Sequence, residues 1–156
     1  MRNYDLEFLR DTFKLARESR SHGNHPFSAI LVDGEGNFLM QAENSVVTTG
    51  ECIDHAETNL IRMASAKFDR SFLENCTLYA STEPCPMCAG AIFWSNVRRV
   101  VFGLSEEGLY SMVDPDSEDI LIIHCSEILS RGKKDIEVIG PLLEDEALDA
   151  HRDFWK

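Results

Sequence analysis

An α/β layered domain with a mixed sheet is the architecture this sequence predicts. Three observations predict it. Short apolar, β-prone runs alternate with stretches of helical periodicity along the chain. The first two of those runs flank a turn-rich pentapeptide and so form a hairpin. The 156 residues carry no internal repeat and no low-complexity linker, as expected for a single domain, residues 1–156, that buries a core without disulfide staples.

Each element has its own signal. Leu6, Leu9, Phe13 and Ala16 recur at helical spacing with charges between them, giving an amphipathic helix from about Leu6 to Ser19. His22-Gly23-Asn24-His25-Pro26 ends it. Phe27–Val32 and Phe38–Gln41 are the hairpin strands around Asp33-Gly34-Glu35-Gly36-Asn37. Asn44 to Ile53 reads as a loop. Asp54 is a good N-cap, and Leu60, Ile61 and Ala64 give the buried face of a helix from about His55 to Lys67. Leu78–Ser81 is a short buried strand. After Glu83-Pro84, Pro86 suits the first turn of a third helix through about Phe93. Arg98–Phe102 is another strand, and Asp114-Pro115-Asp116 marks a loop. Ile120–Ile123 fits strand or helix, because four apolar residues do not decide between them. Gly132-Lys133-Lys134 is a turn, Ile136–Ile139 a strand, and Pro141 leads to a final helix from about Glu144 to Trp155.

Composition narrows the function classes. No run reaches about 18 apolar residues, so no membrane span is expected. Met1-Arg2-Asn3-Tyr4-Asp5 leads into an amphipathic pattern and not an apolar signal segment, which makes a cytoplasmic protein the expectation. The five cysteines are Cys52, Cys76, Cys85, Cys88 and Cys125. An odd number with one C-x-x-C pair argues for a metal pair plus spare thiols over a secreted disulfide framework. The net charge is −12, from 27 acidic and 15 basic residues, which repels polyanions at long range. From Gly103 to Ser130 there is no Lys or Arg, while Glu106, Glu107, Asp114, Asp116, Glu118, Asp119 and Glu127 are acidic. A nucleic-acid partner is therefore not expected.

The stretch that carries chemistry is Asp54-His55-Ala56-Glu57, read with Pro84-Cys85-Pro86-Met87-Cys88. One imidazole and two thiols can hold a zinc ion with three protein ligands, leaving the fourth tetrahedral position open for water, as in catalytic sites. Glu57, two residues after His55, can lie beside that water without being a ligand. His55 and Cys85 are expected near helix N-termini, whose exposed N–H groups favour a thiolate. Plainer readings exist. Asp54-His55-Ala56-Glu57 also fits a capping box. Cys85 and Cys88 alone fit a redox pair. A structural zinc site would need a fourth ligand, from Cys52, Cys76, Cys125, His22, His25, His124 or His151. None of these has a close, paired spacing to the motif.

H-x-E followed by P-C-x-x-C is the signature of zinc-dependent deaminases, in which the glutamate moves protons. At these residues the chain resembles the cytidine deaminase superfamily, and most closely its guanine, cytosine and tRNA-adenosine deaminase branch. The resemblance runs from about Leu6 to the C-terminus, with the best matches at Pro26–Leu31, Asn44, His55–Glu57 and Pro84–Ala91. It implies a three-layer α/β/α fold with a five-stranded mixed sheet. It also implies one Zn2+ per subunit held by His55, Cys85 and Cys88, with Glu57 as the catalytic acid–base. By the same resemblance Asn44 hydrogen-bonds the base, Phe27 faces it, and Ala56 and Trp155 complete the substrate contacts. Asp114, by the same resemblance a second catalytic residue, lies where guanine deaminases of the family carry an acidic residue that helps transfer protons, in a Gly-Phe-Asp-Asp-like stretch. Here the glycine and phenylalanine are missing, so the match can slip to Asp116. A homodimer is implied too, with Ile92, Phe93 and Trp94 as a candidate interface and the C-terminal segment capping its own or a partner's site.

The expected reaction is hydrolytic deamination of a free nucleobase, guanine first, with release of ammonia. Phe27, the acidic loop around Asp114 and the absence of a phosphate clamp lean that way. The alternatives are a tRNA-specific adenosine deaminase, whose RNA demands a basic footprint that only Arg98-Arg99 and Arg131–Lys134 suggest, a cytosine or nucleoside deaminase, and a non-catalytic zinc scaffold.

Overall fold

Successive strand side chains point to opposite faces, and here both faces are apolar. The computed structural model of the chain describes residues 1–155. Its strands are β1 (Ser28–Val32), β2 (Phe38–Glu43), β3 (Thr77–Thr82), β4 (Arg99–Leu104) and β5 (Glu137–Ile139). They form one sheet in the order β2-β1-β3-β4-β5. β1 is antiparallel to β2 and β3, whereas β3, β4 and β5 run parallel, so the sheet is mixed as expected. Ala29, Leu31, Leu78, Ala80, Val100 and Phe102 share one core with Leu60, Ala64, Ala89 and Ile92. Ile30, Val32, Tyr79 and Val101 share the other with Leu9, Phe13 and Ala147. Helices α3 (Ala56–Lys67), α5 (Pro86–Ser95) and α7 (Cys125–Ser130) thus cover one face, and α1 (Asp5–Ser21) and α8 (Glu144–Leu148) the other. This is the three-layer α/β/α arrangement. Short helices α2 (Val46–Thr49), α4 (Arg70–Leu73) and α6 (Glu106–Tyr110) lie in the connections.

The hairpin turn forms for a local reason. Asp33 Oδ1 accepts from the Glu35 and Asn37 N–H groups, both at 2.9 Å, and Gly36 sits at φ +88°, where a side chain is disfavoured.

Several boundaries differ from the sequence reading. The stretch read as a loop after Asn44 contains α2, whose Gly50 closes it in the left-handed conformation. Ile120–Ile123 is neither strand nor helix; Leu121, Ile122 and Ile123 are exposed, and the Tyr110 hydroxyl holds the Leu121 backbone. The final helix stops at Leu148 and tightens into a 3₁₀ turn, Asp149–His151. Arg20 explains this, because its guanidinium takes the carbonyls of Ala150 and Arg152 at 3.3 and 2.5 Å. Of the candidate interface residues, Ile92 is fully buried in the core, because α5 packs that side against the sheet, while Trp94 is 72% exposed. No helix among the described residues is long and apolar enough to cross a membrane.

One buried ion pair joins the layers. Arg99 on β4 donates to both Asp5 carboxylate oxygens at 2.8 and 2.7 Å, and the Tyr79 hydroxyl on β3 donates to Oδ1 at 2.6 Å. Burial alone would raise the Asp5 pKa, but bonds from Arg99, Tyr79 and the Arg2 N–H outweigh it and hold the carboxyl well below the usual range. With the folded value depressed, the stabilisation is present above the ordinary aspartate pKa and is lost as pH falls below it. We expect Arg99→Met, which strands a buried carboxylate, to lower unfolding stability by about 3–5 kcal/mol in urea titrations at pH 7, with a smaller deficit at acid pH. An unchanged midpoint would contradict this role.

Candidate active site

The site is assembled at two helix starts. His55 is the N-cap of α3 and Cys85 the N-cap of α5, both with extended backbone. Pro86 occupies the first turn of α5, and Cys88, three residues after Cys85, returns to the same side. The expected cap at Asp54 is displaced to His55. The Asp54 carboxylate pairs instead with Arg62 at 3.3 Å, so the capping box does not form and Glu57 is left free for other use. Behind Cys85, the buried Glu83 fixes the turn after β3. Its carboxylate accepts from the Glu106 and Cys125 N–H groups at 3.2 and 3.0 Å and pairs with His124 Nδ1 at 3.1 Å.

His55 Nδ1 lies 3.5 Å from the Sγ atoms of both Cys85 and Cys88. A tetrahedral ion with Zn–S near 2.3 Å and Zn–N near 2.0–2.1 Å would set that N–S edge at about 3.6 Å. The three donors therefore fit zinc. No other His or Cys joins them among the described residues, so these three would hold the ion and leave a position for water. All five thiols are free of disulfides.

The charges around the three donors are strongly coupled. The Cys85 thiol is drawn down to about 4, first by its hydrogen bond with Cys88 and then by the His55 imidazole, against the cost of burial. Cys88 is held up by its pairing with Cys85, by burial and by Glu57. A dication replaces such protons on binding. Glu57 is buried with its carboxylate 3.5 Å from Cys88 Sγ. Burial first, and then the negative charge of Cys85, push it up to about 7. A carboxylate in that range both takes and gives protons at neutral pH.

In front of these groups is a cavity of about 470 Å³, lined by His55, Glu57 and Cys85 on one side and by Phe27, Tyr110 and Trp155 elsewhere. Such a volume is ordinary for a small-molecule site.

Residues 2–104 match the family model for the cytidine and deoxycytidylate deaminase zinc-binding region. The chain belongs to this deaminase family. A probable cytosine deaminase from Schizosaccharomyces pombe is 45% identical over 97% of this chain and 92% of its own. A guanine deaminase from Bacillus subtilis is 32% identical over 72% of this chain and 78% of its own. The structure of a guanine deaminase from Nitrosomonas europaea superposes with a TM-score of 0.78 at 26% identity, covering 93% of this chain and 81% of that one. tRNA-specific adenosine deaminases are also among the relatives.

Within the deaminase site, Phe27, Asn44 and Trp155 line the cavity with the metal-ligand group and Glu57. Ala56 does not; it is fully buried at the start of α3. Asp114 also stays outside. It is exposed, and its carboxylate accepts from the Asp116 N–H at 2.9 Å, closing its own turn. Asp116 is exposed as well, and Asp119 from the same loop reaches the wall instead. Nothing in the local sequence distinguishes Asp119, because the loop is irregular and its fold depends on Tyr110. Sequence reasoning also missed how Trp155 is held. Its Nε1–H donates to His151 Nδ1 at 3.0 Å, and the opposite nitrogen of that buried ring faces Thr82 Oγ1 at 3.5 Å. Burial holds His151 down at about 4, so the ring is neutral.

We expect Glu57→Gln to retain zinc while ammonia release falls by at least about 10²–10⁴-fold, and Cys88→Ser to lose zinc. Metal content by mass spectrometry, alongside turnover, checks both. A Glu57→Gln protein with near-wild-type turnover, or a Cys88→Ser protein with full zinc, would contradict these roles.

Proposed function

We propose that this deaminase hydrolytically removes the amino group of a free nucleobase, with guanine as its substrate. The observation that carries the reading is the cavity wall. Aromatic rings and Asn44 stand beside the metal-ligand group, and no Lys or Arg among the described residues lines the cavity. An uncharged planar base suits such a wall; a nucleotide phosphate finds no cationic partner among its described residues. The volume leaves room for a bicyclic base, and the likeness to guanine deaminases supports guanine.

Zinc held by His55, Cys85 and Cys88 would lower the pKa of a water from about 16 to about 7. Glu57 takes a proton from the attacking water and delivers it to the ring nitrogen beside the carbon under attack. It then carries a second proton to the departing amine; the C–N bond breaks, ammonia leaves, and the ring carbon becomes a carbonyl. Burial keeps Glu57 in the range where both transfers work. Asn44 Oδ1 accepts from the Val46 N–H at 3.1 Å, which orients the amide. Its Nδ2 is then the donor for a carbonyl oxygen of the base. Phe27 and Trp155, with centroids 5.9 Å apart, give the base an apolar wall and exclude water.

Cytosine is the second reading, favoured by the near full-length S. pombe relative. A tRNA substrate is disfavoured by the net charge of −12. The test is ammonia release by zinc-loaded protein from guanine, cytosine, adenine and their nucleosides, with adenosine-to-inosine conversion in tRNA as a further arm. We expect kcat/KM for guanine to exceed that for cytosine by at least about tenfold, worth about 1.4 kcal/mol. The reverse order replaces guanine with cytosine, and conversion of tRNA alone overturns the free-base reading.

A further inference from the structure

His25 lines the cavity together with His55, Glu57 and Asn44, yet the residues that bind zinc or move protons do not include it. Its ring nitrogens make no hydrogen bond to any described residue. His151, whose ring centroid lies 5.3 Å from that of Phe27, behaves as a structural histidine does: both of its nitrogens face protein partners. Trp155 has one donor, and it is committed to His151. Asn44 Oδ1 is committed to Val46. The imidazole of His25 keeps its hydrogen-bonding capacity open on the wall of the cavity.

The ring is also held in place. The His25 carbonyl accepts from Ser19 Oγ at 2.8 Å and from the Phe27 N–H at 2.8 Å. The same buried Ser19 hydroxyl reaches the Asn44 carbonyl at 3.2 Å, so one side chain ties the backbones of two polar wall residues together. Asn24, immediately before, is buried and bonds to Thr48. The ring itself is edge-on to Phe154 and Trp155, with centroids 5.7 and 5.5 Å away. A side chain fixed this way loses little further freedom when a ligand binds.

We propose that His25 is a substrate-binding residue whose imidazole hydrogen-bonds the ring edge of the bound base, as a second polar contact beside Asn44. This rests on the free-base reading. Burial, and then the nearby His55, hold His25 below the ordinary histidine value, so it meets an uncharged base as a neutral ring with one donor and one acceptor.

The test compares wild-type, His25→Phe and His25→Gln proteins, each zinc-loaded, on guanine and cytosine. Phenylalanine keeps the ring packing and deletes the nitrogens; glutamine returns a donor and an acceptor. We expect His25→Phe to raise KM roughly tenfold with kcat within about twofold, the pattern of lost ground-state binding. Zinc content should be unchanged and Tm should stay within about 2 °C. His25→Gln should recover part of the KM loss. A wild-type KM in His25→Phe would reduce the residue to packing and overturn the proposal. Loss of zinc would make it a metal-site residue and overturn it as well. A fall in Tm with no gain in the glutamine variant would do the same. Wild-type protein inactive on every base would instead remove the free-base reading, and this inference with it.

Discussion

Two helices have to start side by side for this protein to have a site at all. His55 opens α3 and Cys85 opens α5, and neither uses its side chain as a helix cap. Their donor atoms are therefore available, and the N-terminal end of α5 gives Cys85 a backbone N–H, that of Cys88. The sheet enforces the alignment. The crossover from β3 through α5 to the parallel β4 places α5 on the face that α3 already covers. Three donors from segments about thirty residues apart then meet at tetrahedral spacing.

The rest of the molecule steadies that meeting point. Glu83 bonds to the N-terminal ends of both α6 and α7, which brings the irregular stretch between them over the cavity. Beside it, Glu106 is buried with neither carboxylate oxygen partnered among the described residues, and burial together with Glu83 pushes it up to about 7. It is thus partly protonated near neutral pH, which softens the charge repulsion between it and Glu83. On the far side, Arg20 draws in the C-terminal backbone and lies 5.3 Å from the Phe154 ring centroid, so the aromatic end of the chain closes one wall.

Much of this was legible in the sequence because it is local. The ligand triad, Glu57, the hairpin and the α/β layering follow from spacing, turn chemistry and periodicity over a few residues. What was not legible depends on distant partners. The shift of the α3 cap from Asp54 to His55 reflects Arg62, two turns into the helix. The early end of the last helix reflects Arg20, far away in sequence. That Asp119 and not Asp114 reaches the cavity wall reflects the path of a loop with no periodic signal. His25 was visible only as one of several spare histidines; what singles it out is that its ring nitrogens have no partner among the described residues, which only a structure displays.

Function here depends on a metal held by one nitrogen and two sulfurs, with a position left for water. X-ray absorption at the zinc edge of the purified protein tests it most directly. The account predicts two sulfur neighbours near 2.3 Å, one imidazole nitrogen near 2.0–2.1 Å and one light exchangeable neighbour. Three or four sulfur neighbours, a second imidazole, or no bound zinc would contradict it.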